Sequence, residues 1–353
     1  MNNQTQDSGF PTQDEYDALL VVSFGGPEGP DDVLPFLENV LRGRNVPRER
    51  MLAVAKHYEL FGGVSPINQQ NRNLIAAMEQ QLELKGPRLP VYFGNRNWHP
   101  LLADTLRQMR DDGIRNALAF VTSAYSSYSS CRQYLEDIER ARATIGADAP
   151  QIVKLRAFYN HPGFIEANVA NIRDALENTS DAVREHATIV FTAHSIPESM
   201  ASNCEYQPQL LETCRLIGER LEIKNWQLAF QSRSGSPAQP WLGPDVCDHL
   251  RELYARGVRE VVVAPVGFVS DHMEIIYDLD LQARELCEQL GMTMHRAATA
   301  GTHPAFVNMI RELILERTNS HCSADEADRG PVRVCFSDGC CVSGSEKRTA
   351  PHA

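Results

Sequence analysis

The chain has 353 residues and carries 34 Lys+Arg against 46 Asp+Glu, a formal net charge of −12 at pH 7. So large an acidic excess excludes a broad phosphate-reading surface, because nucleic-acid affinity rests on cations that displace counterions from the backbone; local basic sites are still allowed. With 42% apolar and only 7% aromatic residues the chain can build the core of one or two domains and is not disordered as a whole.

Residues 1–15 are polar and lack the basic and apolar regions of a signal peptide, and no later stretch approaches the ~18 uncharged apolar residues of a membrane span. The expectation is a flexible lead-in to a cytoplasmic protein. Apolar runs then recur at 18–24, 90–93, 117–122, 152–158, 188–193, 227–231 and 260–267, with a weaker one at 292–296. Runs such as Ile189-Val190-Phe191 and Val261-Val262-Val263 do not alternate, so they predict strands covered on both faces. Helical patterns at 31–42, 67–84, 101–112, 133–143, 162–178, 208–221, 247–256, 272–290 and 304–316 supply the cover. Strands and helices in alternation imply right-handed βαβ units and a mainly parallel sheet. The pattern divides near residue 150 into similar halves, 16–150 and 151–317, followed by a polar extension, 318–353. This predicts an α/β protein of two Rossmann-like, doubly wound domains facing one another across a cleft, with ligands at the carboxyl ends of the strands. The glycine-rich turns FGGPEGP and SRSGSP match neither GxxxxGK[ST] nor GxGxxG, which makes a nucleotide enzyme a minor reading.

Three constellations carry chemistry. His194, in Thr192-Ala193-His194-Ser195-Ile196-Pro197, stands where a buried strand opens into a loop, and a neutral imidazole there can take a proton or bind a metal near pH 7. A core histidine bonded to backbone is the alternative until a partner is found. The run from Val266 to Asp280 places Asp271, Glu274 and Asp278, with Tyr277 one step aside, at three- and four-residue spacing, so a helix would show them on one face beside His272. A solvated acidic face is the alternative; the preceding Gly267-Phe268-Val269-Ser270 instead points the helix start into the cleft. Histidine with carboxylates suits a borderline divalent metal and equally a proton relay. Arg42, Arg44, Arg96 and the aromatic residues of the N-terminal half describe a planar organic acid, since arginines fork onto carboxylates and aromatic rings face flat apolar ligands.

Nine cysteines are too dilute for a disulfide scaffold and odd in number. Six are dispersed, whereas Cys335, Cys340 and Cys341 crowd into seven residues of the tail.

The blocks LLVVSFGGPEGPDDVLPFLENVLRGR, HYELFGGVSPIN, YFGNRNWHP, SAYSSYSSCRQYLEDI, FTAHSIPESM and VAPVGFVSDHMEIIYDLD, in this order over roughly residues 17–317, resemble the ferrochelatase family, in particular coproporphyrin ferrochelatases of the actinobacterial type. The resemblance implies a chelatase-like pair of parallel four-stranded sheets and insertion of Fe2+ into a porphyrin held between them. It implies His194 and Glu274 as the catalytic, iron-facing pair, with Asp271, His272, Tyr277 and Asp278 as a proton and metal path. Phe24, Arg42, Arg44, Ser65, Arg96, Tyr125 and Tyr128 would line the porphyrin site. Several related enzymes carry tyrosine at the position of Phe24, so an iron-contacting tyrosine would have to be Tyr125 or Tyr128. The same resemblance implies a [2Fe-2S] cluster on Cys131, Cys335, Cys340 and Cys341, with Cys322 able to replace one of them; four thiolates is the usual count. The substrate implied is coproporphyrin III, with protoporphyrin IX as the runner-up and a downstream haem-pathway enzyme as a possible partner. A related cobalt chelatase and a non-catalytic haem carrier are the other readings.

Overall fold

Residues 18–23, ALLVVS, are wholly buried, and in the computed structural model they form the central strand of a parallel sheet. The structure describes residues 16–43, 46–177, 179, 188–234 and 238–318. In the first sheet β1 (Ala18–Ser23) lies between β2 (Val91–Asn95) and β3 (Asn116–Val121), and β4 (Gln151–Lys154) pairs with the far side of β3. The second sheet repeats this order: β5 (Ile189–His194) lies between β6 (Trp226–Gln231) and β7 (Glu260–Ala264), with β8 (Thr293–Arg296) beyond β7. All pairings are parallel. The two-domain α/β expectation is therefore met. In both sheets the chain leaves the first strand toward one neighbour and returns on its other side. The topological switch points thus lie between β1 and β3 and between β5 and β7, where such folds open a ligand crevice.

Two details differ from expectation. The run at 152–158 is expected to open the second half, whereas Gln151–Lys154 pairs at the edge of the first sheet, with Ala119 opposite Lys154. The strand also ends early, because from Leu155 the chain leaves the sheet toward α6 (Pro162–Glu177). The second concerns the long polar stretch after residue 46, which carries no helical expectation yet forms α2 (Arg48–Glu59), following α1 (Val33–Val40). Only Met51, Ala55 and Tyr58 of α2 are buried, an i, i+4, i+7 stripe too narrow to stand out among its charges.

The remaining large helices cover the sheets: α3 (Ile67–Lys85), α4 (Leu102–Asp111) and α5 (Gln133–Ala143) in the first half, α8 (Tyr206–Leu221) and α9 (Val246–Ala255) in the second, with the short α7 (Glu198–Ala201) after β5. After β7 come a single turn, α10 (Met273–Ile275), a π-helical segment (Ile276–Ala283) and α11 (Arg284–Leu290). The last helix, α12 (Pro304–Thr318), packs on both α6 and α3 and so joins the two halves. Polar ties add to this: Tyr125 Oη donates to the Val266 carbonyl at 2.8 Å, and Gln209 both accepts from the Ser126 amide at 2.7 Å and donates to its hydroxyl. Among the described residues no helix is long and apolar enough to cross a membrane.

Candidate active site

His194 is the last residue of β5. The five residues before it are buried, whereas its own side chain is 32% exposed, so the strand delivers it to the edge of the cleft. Its backbone is held from two sides. Tyr206, buried at the start of α8, donates to the His194 carbonyl at 3.0 Å, and the Ser195 amide donates to Gln231 of β6. His194 Nδ1 bonds the Ser195 carbonyl; a carbonyl only accepts, so Nδ1 carries a proton and Nε2 is left to face the cleft.

Glu274 arrives from the other strand at the switch point. After β7, Gly267 passes so close to β5 that a Cβ on it would lie 2.5 Å from Ala193 Cα, and its amide donates to the Thr192 carbonyl at 3.0 Å. Only a residue without a side chain allows that approach. From there the chain reaches α10, where the His272 ring caps the turn by accepting from the Glu274 amide. Glu274 Oε1 then lies 3.4 Å from His194 Nε2. Burial opposes the charged imidazolium, but the Glu274 carboxylate and the Ser195 carbonyl more than offset it and raise His194 to about 9. Burial pushes Glu274 up, and the facing His194 and His272 outweigh it, leaving the carboxyl well below its usual range. Burial holds His272 itself below the ordinary histidine range.

One turn on, Asp278 is raised to about 7, first by burial and then by the Glu274 charge, against the lowering effect of its hydrogen bonds. Those bonds come from the end of β6: Ser232 donates to Asp278 Oδ2, and Gln231 Nε2 donates to the Glu274 carbonyl at 3.0 Å and toward Asp278 Oδ2 at 3.4 Å. Ser232 adopts φ +62°, a left-handed conformation that only the fit of its surroundings sustains in a non-glycine residue. Neither Ser232 nor Gln231 is singled out by sequence, since a polar pair at a strand end has no distinguishing spacing. Tyr206 likewise carries no signal, whereas Tyr58 stands inside the HYELFGGVSPIN block. Its phenol on α2 is raised by burial and by the Glu274 charge, which places it near Glu274 from the opposite half.

The expected site residues divide. His194, Glu274 and Asp278 come together as described, and His272 lies beside them. Tyr277 stacks on His57 of α2 with ring centroids 3.7 Å apart, spanning the two halves. Asp271 does not join the line: Arg296 and Thr299 hold its carboxylate. The helical spacing fails because His272 is extended, φ −146° and ψ −177°, and helix begins only after it. Phe24, at the carboxyl end of β1, is 37% exposed and meets Phe36 edge-on at 6.2 Å, with Trp98 and Tyr58 packed on the other edges of Phe36. Tyr128 is half-buried and bonded to Glu136. Arg42 is exposed beyond α1, and Arg44 lies outside the described residues.

Three of the expected porphyrin contacts are enclosed among protein groups. Tyr125 is 2% exposed, and its hydroxyl donates to the Val266 carbonyl. Arg96 is enclosed between the Phe24 and Tyr134 rings and paired with Asp137, so its charge is already neutralised. Ser65 is buried beneath the Gly26 turn, with its amide bonded to the Pro27 carbonyl. Cys131 is a free, buried cysteine in a π-helical turn (Tyr128–Arg132). Cys322, Cys335, Cys340 and Cys341 lie outside the described residues, and no group of three potential ligands among the described residues is placed to hold a metal ion.

An imidazole facing a carboxylate at the switch point of a doubly wound sheet can exchange protons and offer donors to a metal. The family model for ferrochelatase matches residues 16–318. The chain belongs to the ferrochelatase family. The ferrochelatase of Rhodopirellula baltica is 56% identical over 303 residues, covering 86% of each chain. The coproporphyrin III ferrochelatase of Streptomyces coelicolor is 51% identical over 320 residues, covering 86% of this chain and 85% of that one. Among solved structures, SirB from Bacillus subtilis with Fe3+ superposes with a TM-score of 0.53 at 11% identity, covering 84% of this chain and 94% of that one. This last likeness shows the shared chelatase-like fold. The chain is thus a ferrochelatase of haem biosynthesis, a lyase whose metal substrate is ferrous iron.

Proposed function

We propose that this ferrochelatase inserts Fe2+ into coproporphyrin III to form coprohaem, with the pyrrole protons leaving through His194, Glu274 and Asp278. The observation that carries the mechanism is the 3.4 Å approach of His194 Nε2 to Glu274 Oε1 at the carboxyl ends of β5 and the β7 loop. Metallation replaces two N–H protons by one Fe2+, so each turnover needs a base at the nitrogens and an exit for two protons. His194 rests as an imidazolium paired with ionised Glu274 and must shed its proton before it accepts another. Glu274 would take it up only transiently, because its carboxyl is held low, whereas Asp278 at about 7 is matched to hold a proton at physiological pH. Once Nε2 has lost its proton, His194 would offer a nitrogen donor and Glu274 an oxygen donor to the arriving iron. Support for coproporphyrin III comes from relatives of that name in Streptomyces coelicolor and Nocardia farcinica, at 51% and 50% identity.

Rates of iron insertion with coproporphyrin III and protoporphyrin IX test the substrate; a clear preference for protoporphyrin IX overturns it. In His194→Ala, insertion is expected to fall at least 100-fold while porphyrin still binds. A non-catalytic haem carrier would instead show tight haem binding and no turnover in the parent protein.

The resemblance also supports a [2Fe-2S] cluster on Cys131, Cys335, Cys340 and Cys341. Cys131 suits that role as a free thiol held out of bulk water. The visible spectrum of protein purified without oxygen is the test: cluster bands lost in Cys335→Ser support the assignment, and a colourless, iron-free parent refutes it. A cytoplasmic location and hand-over to a downstream haem-pathway enzyme belong to the same proposal.

A further inference from the structure

The π-helical segment Ile276–Ala283 follows directly on the turn that carries Glu274 and itself carries Tyr277 and Asp278. A π-helix is a poorly favoured register, normally confined to a single turn, and a run of eight residues needs support from outside its own hydrogen bonds. A slip of one residue there would rotate the side chains beyond it by about 100° about the helix axis, enough to turn Asp278 away from Ser232.

Arg296, at the end of β8, supplies such support. Its guanidinium forks onto Asp271, with Nη1 3.2 Å from Oδ1 and Nη2 3.0 Å from Oδ2, and its Nε lies 2.6 Å from Asp280 Oδ1. Asp271 precedes the helical stretch and Asp280 lies inside the π segment, so one cation grips the chain on both sides of Glu274 and Asp278. All three side chains are mostly enclosed, at 16% exposure for Arg296, 17% for Asp271 and 28% for Asp280. Further bonds anchor the near end: Thr299 Oγ1 donates to Asp271 Oδ1 at 3.2 Å, and the Asp271 amide donates to Gln70 of α3 at 2.7 Å. Arg284 approaches Asp280 only at 3.9 Å and is far more open to water. The ion pairs of Arg296 are with Asp271 and Asp280, whereas Glu274 pairs with His194.

We propose that Arg296 is a positioning residue for iron insertion, a clamp that joins Asp271 to Asp280 and thereby fixes the π register that presents Glu274 and Asp278 to His194. This rests on His194 and Glu274 as the reacting pair. A lysine cannot reproduce the grip, because its single ammonium cannot fork onto Asp271 and reach Asp280 at once.

The test compares the full-length parent with Asp280→Asn, Arg296→Lys and Arg296→Gln, measuring kcat and KM for iron insertion, porphyrin affinity by fluorescence quenching, and thermal midpoint. Asp280→Asn keeps the Asp271–Arg296 pair and releases only the π segment. It is expected to lower kcat at least fivefold with porphyrin affinity within twofold of the parent. Arg296→Gln should lose more than tenfold, and Arg296→Lys should fall between it and the parent. If the arginine variants do not fold, Asp280→Asn alone decides. Parental kcat in a folded Asp280→Asn, or a loss of porphyrin affinity parallel to that of kcat, overturns the clamp. An inactive parent, or a His194→Ala variant as active as the parent, refutes instead the assignment of the reacting pair.

Discussion

Replacing Glu274 with glutamine keeps the shape of the site and removes the charge that faces His194. At 3.4 Å the Coulomb attraction is about 1.2 kcal/mol at the dielectric constant of water and about 4.9 kcal/mol at an effective value of 20. At about 1.36 kcal/mol per pKa unit these limits correspond to roughly 0.9 and 3.6 units. The rise of His194 from 6.5 to about 9 falls between them, as befits a pair that is half open to the cleft. In Glu274→Gln the desolvation of the imidazole persists while its main compensation is lost, so His194 should titrate at or below 6.5. The assay is an NMR titration of the His194 Cε1–H resonance in the free enzyme, assigned by its absence in His194→Ala. The sign has a consequence for stability. A histidine raised in the folded state stabilises the protein below its unfolded pKa, and that contribution is lost as pH rises toward about 9. The parent should therefore lose thermal stability between about pH 6.5 and 9 by an amount that Glu274→Gln does not show. A His194 pKa in the variant within half a unit of the parent's would refute the reasoning.

Gly267→Ala should destabilise the protein by about 1–3 kcal/mol in urea unfolding, because its Cβ would meet the backbone of Ala193, which cannot give way. Activity should drop with it, since Ala193 precedes His194; an unchanged midpoint would show that the β7 loop has slack. Tyr206→Phe leaves the His194 carbonyl without its donor, at a cost of about 1–3 kcal/mol, and should lower kcat more than porphyrin affinity in steady-state and binding assays. Arg96→Gln removes the cation from Asp137, which is enclosed at 14% exposure, and is expected to cost on the order of 3 kcal/mol in chemical denaturation. The nearby Arg140 keeps that figure at the low end of its range.

The architecture was legible because a doubly wound fold writes itself in buried strands. Ile189-Val190-Phe191 and Val261-Val262-Val263 have no polar partner positions, and this distinguishes them from half-exposed strands. The position of His194 was legible for a related reason, since it ends such a run, whereas Glu274 stands ten residues beyond the end of β7 and its approach to His194 depends on the path of the intervening loop. Legibility ended where geometry departs from a regular period. Asp271 was grouped with Glu274 by helical spacing, yet the helix starts after His272, and the π segment changes the period again. It ended also where a role depends on a distant partner. Nothing near Arg96 in the chain announces Asp137, and nothing near Tyr125 announces the Val266 carbonyl, so the partners that hold this cation and this phenol could not be read from sequence. That β4 joins the first sheet is not written in its own residues, because pairing across a parallel sheet leaves no mark in the strand itself.

The packing of α12 bears on the order in which the molecule can be assembled. Val307, Ile310 and Ile314 of that helix share one apolar cluster with Met78 and Leu82 of α3, more than 200 residues earlier in the chain. During synthesis the first half therefore emerges with an apolar flank that only the last described helix can cover. Contacts so distant in sequence close slowly, and uncovered flanks of this kind are where chaperones bind and aggregates begin. A fragment ending before residue 304 would carry every group of the His194 site and still leave that flank bare, so catalytic completeness and folding competence end at different points along this chain.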